Sequence, residues 1–176
     1  LEFRRVLFRS VDGAGEVVEP GGSPFKKGER VMFRAHGALA EYAAVDPALA
    51  SRVPDAMSWE EAGSILAAYV TGWEAVCQFG RMKAGDWVLL CGVSSGVGVA
   101  ALQMAKHTGA HVIGTSGSPQ KLEALKKLGL DVGIAARGGD FAGAVREATG
   151  GKGVDVAVNL VGGTAFPACV QACADF

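Results

Sequence analysis

From Asp86 onward the chain alternates short apolar runs with amphipathic stretches. Asp86-Trp87-Val88-Leu89-Leu90 opens an apolar run without polar alternation, which predicts a buried parallel strand over about Trp87 to Val93. Val99, Leu102, Met104 and Ala105 then recur at helical spacing and stop at Gly109, predicting a helix from Val97 to Thr108. His111 to Thr115 reads as a second strand. Ser118 caps a helix with Pro119 at its first position, running through Leu122, Leu125 and Leu128 to Gly129. Val132 to Ala135 is a short third strand, Phe141 to Ala148 a helix closed by Gly150-Gly151, and Val154 to Asn159 a fourth strand, after which Thr164 opens another helix. This β-α-β-α-β-α-β order predicts an α/β, doubly wound parallel sheet of the Rossmann type. A full sheet of this kind has strand order 3-2-1-4-5-6, so its last two strands are expected beyond Phe176.

The first part of the chain has a different pattern. Glu16 to Glu19 and Gly28 to Phe33 are strand-like, separated by the turn Pro20-Gly21-Gly22-Ser23-Pro24. Leu39 to Val45 reads as a third strand, ended by Asp46-Pro47. Ser58-Trp59-Glu60-Glu61 is a capping box that starts a helix into Leu66. A second helical stretch covers Thr71 to Phe79 and ends at Gly80. The passage between domains is placed across these helices, giving a β-rich domain over residues 11–68 and a nucleotide-binding domain over residues 69–176.

Residues 1–10, Leu1-Glu2-Phe3-Arg4-Arg5-Val6-Leu7-Phe8-Arg9-Ser10, are set aside. They back-translate to CTGGAGTTCAGACGTGTGCTCTTCCGATCT, which resembles a sequencing adapter. They also lack the apolar segment of a signal peptide. The native gene is expected to extend further at both ends. Without Arg4, Arg5, Arg9 and Glu2, the 17 basic and 18 acidic residues fall to 14 and 17, a net charge of −3. That balance gives no footprint for nucleic acid or an anionic membrane. No apolar stretch approaches the roughly 20 residues of a membrane span. The cysteines Cys77, Cys91, Cys169 and Cys173 have no metal-finger spacing, and a reduced, cytoplasmic setting is expected.

Chemistry concentrates in Cys91-Gly92-Val93-Ser94-Ser95-Gly96-Val97-Gly98, between a predicted strand and a predicted helix. A dinucleotide pyrophosphate needs close-approaching backbone and free N–H groups at a helix start, which glycines permit. The alternative is a tight turn that only packs strand on helix.

Together with Asp12-Gly13-Ala14-Gly15, Phe25-Lys26-Lys27-Gly28-Glu29-Arg30-Val31, Ala40-Glu41-Tyr42, Val70-Thr71-Gly72-Trp73, Gly150-Gly151-Lys152-Gly153-Val154-Asp155 and Val161-Gly162-Gly163, this turn resembles the medium-chain dehydrogenase/reductase superfamily. The likeness is to its zinc-free quinone oxidoreductase and enoyl reductase branch, and it covers residues 11–176. It implies part of a GroES-like catalytic domain followed by part of an NADP-binding Rossmann domain. It further implies that Thr71 lies on the nicotinamide side, that Ser95, Gly96, Val97 and Gly98 hold the pyrophosphate, and that Asn159 stands at the ligand edge, where the family often has Asp. Thr71 also suits a helix N-cap, and Asn159 also suits a local turn bond.

Cofactor choice is read after strand two. NAD-selective folds carry Asp or Glu about 20 residues after the glycines, and here Thr115-Ser116-Gly117-Ser118 holds no acid. Ser116 and Gly117 would not repel a 2′-phosphate, and Lys121 can supply the countercharge, so NADPH is the expected cofactor. Otherwise Lys121 is a solvated surface lysine. Zinc is not expected, because the resemblance sets Val11 and Ala67 where the zinc-dependent branch places a catalytic His and Cys. His36, His107 and His111 lack partners at metal spacing. Tyr42 is read as a packed, buried phenol and Tyr69 as a helix-packing residue, leaving no assigned catalytic acid.

The expectation is therefore hydride transfer from NADPH to a small-molecule quinone or α,β-unsaturated carbonyl, in a parent protein that is a homodimer. The alternatives are an enoyl-thioester reductase module of a synthase and a non-catalytic NADPH-binding protein.

Overall fold

The computed structural model describes residues 11–175, so the reading of residues 1–10 as an adapter translation lies outside the described residues. The chain divides into two compact units, one ending at Ala68 and the other starting at Tyr69.

In the first unit, β1 (Asp12–Glu16), β2 (Arg30–Arg34) and β3 (Ala50–Arg52) form an antiparallel sheet in that order. β1 sits earlier than the expected Glu16 to Glu19, because its small residues accommodate the β2 side chains. A Cβ on Gly13 would lie 2.8 Å from the Phe33 ring. The predicted strand at Leu39 to Val45 does not form. Both edges of β2 are taken by β1 and β3, and Leu39 and Tyr42 are left exposed. Asp46 instead caps a short 3-10 turn, Pro47–Leu49, that leads into β3. The capping box is present: Ser58 Oγ accepts the Glu61 N–H at 3.2 Å, and Glu61 Oε2 accepts the Ser58 N–H at 2.9 Å. The Arg30 guanidinium lies 4.2 Å from the Trp59 ring centre and donates to Met57 O at 2.7 Å, fastening β2 to the helix start.

The two helices expected between Ser58 and Gly80 are one rod. α1 (Trp59–Trp73) runs directly into a π-helical turn, Glu74–Phe79. Gly72 does not break it. A Cβ there would stand 3.1 Å from Ala101 N, so glycine lets the rod lie close to the neighbouring helix.

The second unit holds β4 (Trp87–Cys91), β5 (His111–Ser116), β6 (Val132–Ala135) and β7 (Val156–Asn159), all parallel, in the order β6-β5-β4-β7. This matches the expected 3-2-1-4 arrangement. Alternate residues enter opposite faces. Val88, Leu90 and Val112 pack on α2 (Gly96–Thr108) and α3 (Pro119–Lys126) through Ala101, Leu102, Ala105, Leu122 and Leu125. Leu89, Cys91 and Ile113 pack on α4 (Ala142–Ala148) and α5 (Ala165–Ala172) through Val145, Ala168 and Ala172. Burial on both faces explains the unbroken apolar runs, each large side chain contributing about 1.5–3 kcal/mol.

Beyond α5 the chain turns alongside β7. Val154 N–H donates to Ala172 O and Ala174 N–H donates to Val154 O, both at 2.9 Å, in a parallel bridge. At the amino edge of the sheet, Lys106 meets Asp131 at 2.8 Å, and the Asp131 carboxylate also accepts the Val112 N–H at 2.7 Å. Partial burial works to raise the Asp131 pKa, but the Lys106 ammonium, the Val112 N–H and the nearby His111 outweigh it and hold the carboxyl below its ordinary value. Among the described residues no helix is long and apolar enough to cross a membrane.

Candidate cofactor site

The carboxyl ends of the four parallel strands converge on one edge of the second unit. Leaving β4, Gly92 adopts φ 86°, and the Gly92 and Val93 N–H groups donate to Thr115 O at 3.2 and 3.0 Å. Ser95 caps α2: its hydroxyl accepts the Gly98 N–H at 3.1 Å and donates to Gly92 O at 2.9 Å. A Cβ on Gly98 would lie 2.6 Å from Gly92 O, so glycine is what allows the helix to seat on the turn. Gly96 instead faces open space. The N–H groups of Gly96 and Val97 have no partner among the described residues. Two free donors at a helix start, beside an open glycine face, suit a pyrophosphate.

Ser94, which sequence reasoning passed over, holds this turn to β5. Its Oγ lies 2.9 Å from Ser116 Oγ. Ser116 is buried, and its hydroxyl also accepts the Ser118 N–H at 3.3 Å. Gly117 follows at the surface, and the Arg137 side chain lies across it. Lys121 is exposed on the first turn of α3, with no ion pair among the described residues. No carboxylate stands between Thr115 and Ser118.

At the end of β7, Asn159 Oδ1 accepts the N–H groups of Val161 and Gly162 at 3.0 and 2.9 Å, closing the local turn that was its alternative reading. That turn abuts the glycine loop, since a Cβ on Gly92 would stand 3.0 Å from Val161 Cγ2. Thr71 sits inside α1, which corrects the reading of it as an N-cap: a residue deep in a continuous helix cannot cap it. It is exposed, next to Gly72, whose close approach is to Ala101 in the middle of α2.

Tyr69 reaches α2, where its hydroxyl accepts from Gln103 Nε2 at 2.8 Å. Tyr42 is 78% exposed, which corrects its reading as a buried phenol. In the first unit, Asp12 Oδ2 accepts the Ala67 main-chain N–H at 3.0 Å, so Val11 and Ala67 belong to adjoining segments. Among the described residues no three His, Cys, Asp or Glu side chains gather as a metal site. The four cysteines are free. Burial, with Cys91 and Cys173 close by, pushes the Cys169 thiol up to about 12; burial also raises Cys173 against the pull of Arg146.

A family model described as zinc-binding dehydrogenase matches residues 96–176. Over 154 residues the chain is 34% identical to a mycocerosic acid synthase-like polyketide synthase of Mycobacterium tuberculosis, covering 87% of this chain and 7% of the synthase. The crystal structure of the CurK enoyl reductase superimposes with a TM-score of 0.88 at 28% identity, over 93% of this chain and 50% of that one. Mycobacterial Rv1454c, solved as a complex with NADPH, gives a TM-score of 0.87 at 34% identity, over 94% and 52%. The chain thus spans about half of these solved structures and a small part of the synthase. Sheet order, glycine turn and these likenesses agree, and the chain belongs to the medium-chain dehydrogenase/reductase superfamily.

Proposed function

We propose that the protein is an NADPH-dependent, zinc-independent reductase that delivers hydride to an α,β-unsaturated carbonyl or a quinone. The observation that carries the cofactor choice is the end of β5. It bears no acid, and Lys121, with no ion pair among the described residues, stands in the first turn of the next helix. The Rv1454c complex with NADPH supports the same choice.

When bound, NADPH supplies the hydride, and the chain contributes position and electrostatics. The Gly96 and Val97 N–H groups and the α2 start would hold the pyrophosphate. Lys121 would meet the 2′-phosphate, and Thr71 would border the nicotinamide. Hydride delivered to the β-carbon of a conjugated carbonyl leaves an enolate, which takes its proton from water or a nearby phenol. Val11 and Ala67 offer no ligand for a Lewis-acid metal, so acceptor polarisation falls to hydrogen bonds.

The likeness to CurK and to a polyketide synthase favours an enoyl thioester over a free quinone, in a reductase module of a synthase. Titrating NADPH and NADH into the protein and into Lys121→Ala tests the cofactor reading. The substitution is expected to remove about 1.5–3 kcal/mol from NADPH binding alone. Equal NADPH affinity in both would reduce Lys121 to a surface lysine. An acceptor panel of a 2-enoyl thioester and a para-quinone then separates the two substrates. No NADPH oxidation with either would favour a non-catalytic binding protein.

A further inference from the structure

We propose that Thr115 is a positioning residue for the cofactor pyrophosphate, which rests on the nicotinamide-cofactor reading above. Thr115 is 3% exposed, near the end of β5 and opposite Cys91 in register. A valine would fill the same space with no polar group to bury, so the hydroxyl carries a cost that partners must offset. It has two. Its O–H donates to Cys91 Sγ at 3.4 Å, which leaves its oxygen to accept the Gly92 N–H at 3.2 Å. The Thr115 carbonyl accepts the same Gly92 N–H at 3.2 Å and the Val93 N–H at 3.0 Å. One residue thus holds both amides where the chain leaves β4.

The hold passes from there to the helix start. While Thr115 fixes the Gly92 N–H, Gly92 O accepts the Ser95 N–H at 3.1 Å and the Ser95 hydroxyl at 2.9 Å. Gly92 stands at φ 86° and has no side chain to restrain it, so these bonds on either side set the orientation of its peptide planes. Ser95 in turn caps α2 through the Gly98 N–H, and Gly96 and Val97 follow it directly. A tilt at Gly92 would therefore turn the free N–H groups of Gly96 and Val97 away from their common aim. Being buried, Thr115 acts through Gly92 and Ser95 and not on the ligand itself.

The test measures NADPH affinity, NADH affinity and melting temperature for the protein, Thr115→Val and Thr115→Ser. Thr115→Val keeps the shape and the carbonyl but drops the hydroxyl bond to Gly92. It is expected to weaken both cofactors about fivefold, as for one ordinary hydrogen bond, with a melting temperature unchanged or raised. Thr115→Ser keeps the hydroxyl and loses a buried methyl, so it should melt lower yet bind within about twofold of the unsubstituted protein. A role in stability alone predicts the reverse order of affinities. Native affinity in Thr115→Val, or binding by Thr115→Ser no better than by Thr115→Val, would overturn the assignment. A loss confined to NADPH would overturn it too, because both cofactors carry the pyrophosphate. A protein that prefers NADH, and still loses affinity in Thr115→Val, removes only the NADPH choice. One that binds neither cofactor removes both readings.

Discussion

The Asp12 carboxylate accepts the main-chain N–H of Ala67 at 3.0 Å, across 55 residues of sequence. A carboxylate from β1 thereby engages an amide inside α1, and it draws together the two segments that carry Val11 and Ala67. Asp12→Ala should destabilise the protein by about 1–3 kcal/mol, the range for a charged hydrogen bond whose partner is left inside the fold. Asp12→Asn should lose less, since its amide oxygen still accepts. Urea unfolding of the three proteins checks this, and equal midpoints would show that the contact carries no stability.

The same pairing sets an expectation for metal content. Purified protein should hold far less than one zinc per chain, and chelators should leave its cofactor binding unchanged. A tightly held, stoichiometric zinc by elemental analysis would contradict the zinc-independent reading.

Two glycines of one turn should behave differently. Gly98→Ala places a Cβ 2.6–2.7 Å from the backbone of Gly92 and Val93, and should lower stability by several kcal/mol. Gly96→Ala meets nothing within 4 Å and should fold normally. Its methyl nevertheless enters the space assigned to the pyrophosphate, so NADPH affinity should drop without a change in melting temperature. Normal NADPH affinity in Gly96→Ala would move the phosphate site elsewhere.

The Asp131 carboxyl is held below its ordinary value in the fold, so its stabilising effect is present above the ordinary carboxylate range and is lost as pH falls through the folded value. The pair is partly solvated, which limits the effect to about 1 kcal/mol or less. The stability difference between the protein and Asp131→Asn should be largest near pH 6 and shrink below about pH 4. A difference independent of pH would show that the Lys106 contact is incidental.

Cys169 should resist alkylation at pH 8, because a thiol pushed up to about 12 supplies almost no thiolate. Mass spectrometry after brief iodoacetamide treatment should find it unmodified in the folded protein and labelled after denaturation. Rapid labelling of the native protein would mean that α5 opens readily.

The parallel sheet was legible because each strand is buried on both faces, which forces runs such as Val88-Leu89-Leu90 into the sequence. The antiparallel unit was harder to read. Leu39 to Val45 has strand composition, yet β2 had no free edge to receive it, and pairing of that kind is decided by the whole sheet. Gly72 and Thr71 resemble helix punctuation but lie within one rod, since the glycine serves a neighbouring helix. At the candidate site, the glycine turn and Lys121 could be found by spacing. Ser94 and Thr115 could not, because each matters through a residue 22 or 23 positions away that only the fold brings near.

The hydroxyl pair of Ser94 and Ser116, with the two N–H bonds to Thr115 O, ties the glycine turn to the tip of the adjacent strand. A loop already fixed in its receiving shape loses little further freedom when a ligand arrives, so more of the contact energy survives as affinity. Loosening that tie, as in Ser94→Ala, would act on the entropy of binding. It would surface as faster release of the ligand from a protein whose melting curve had scarcely moved.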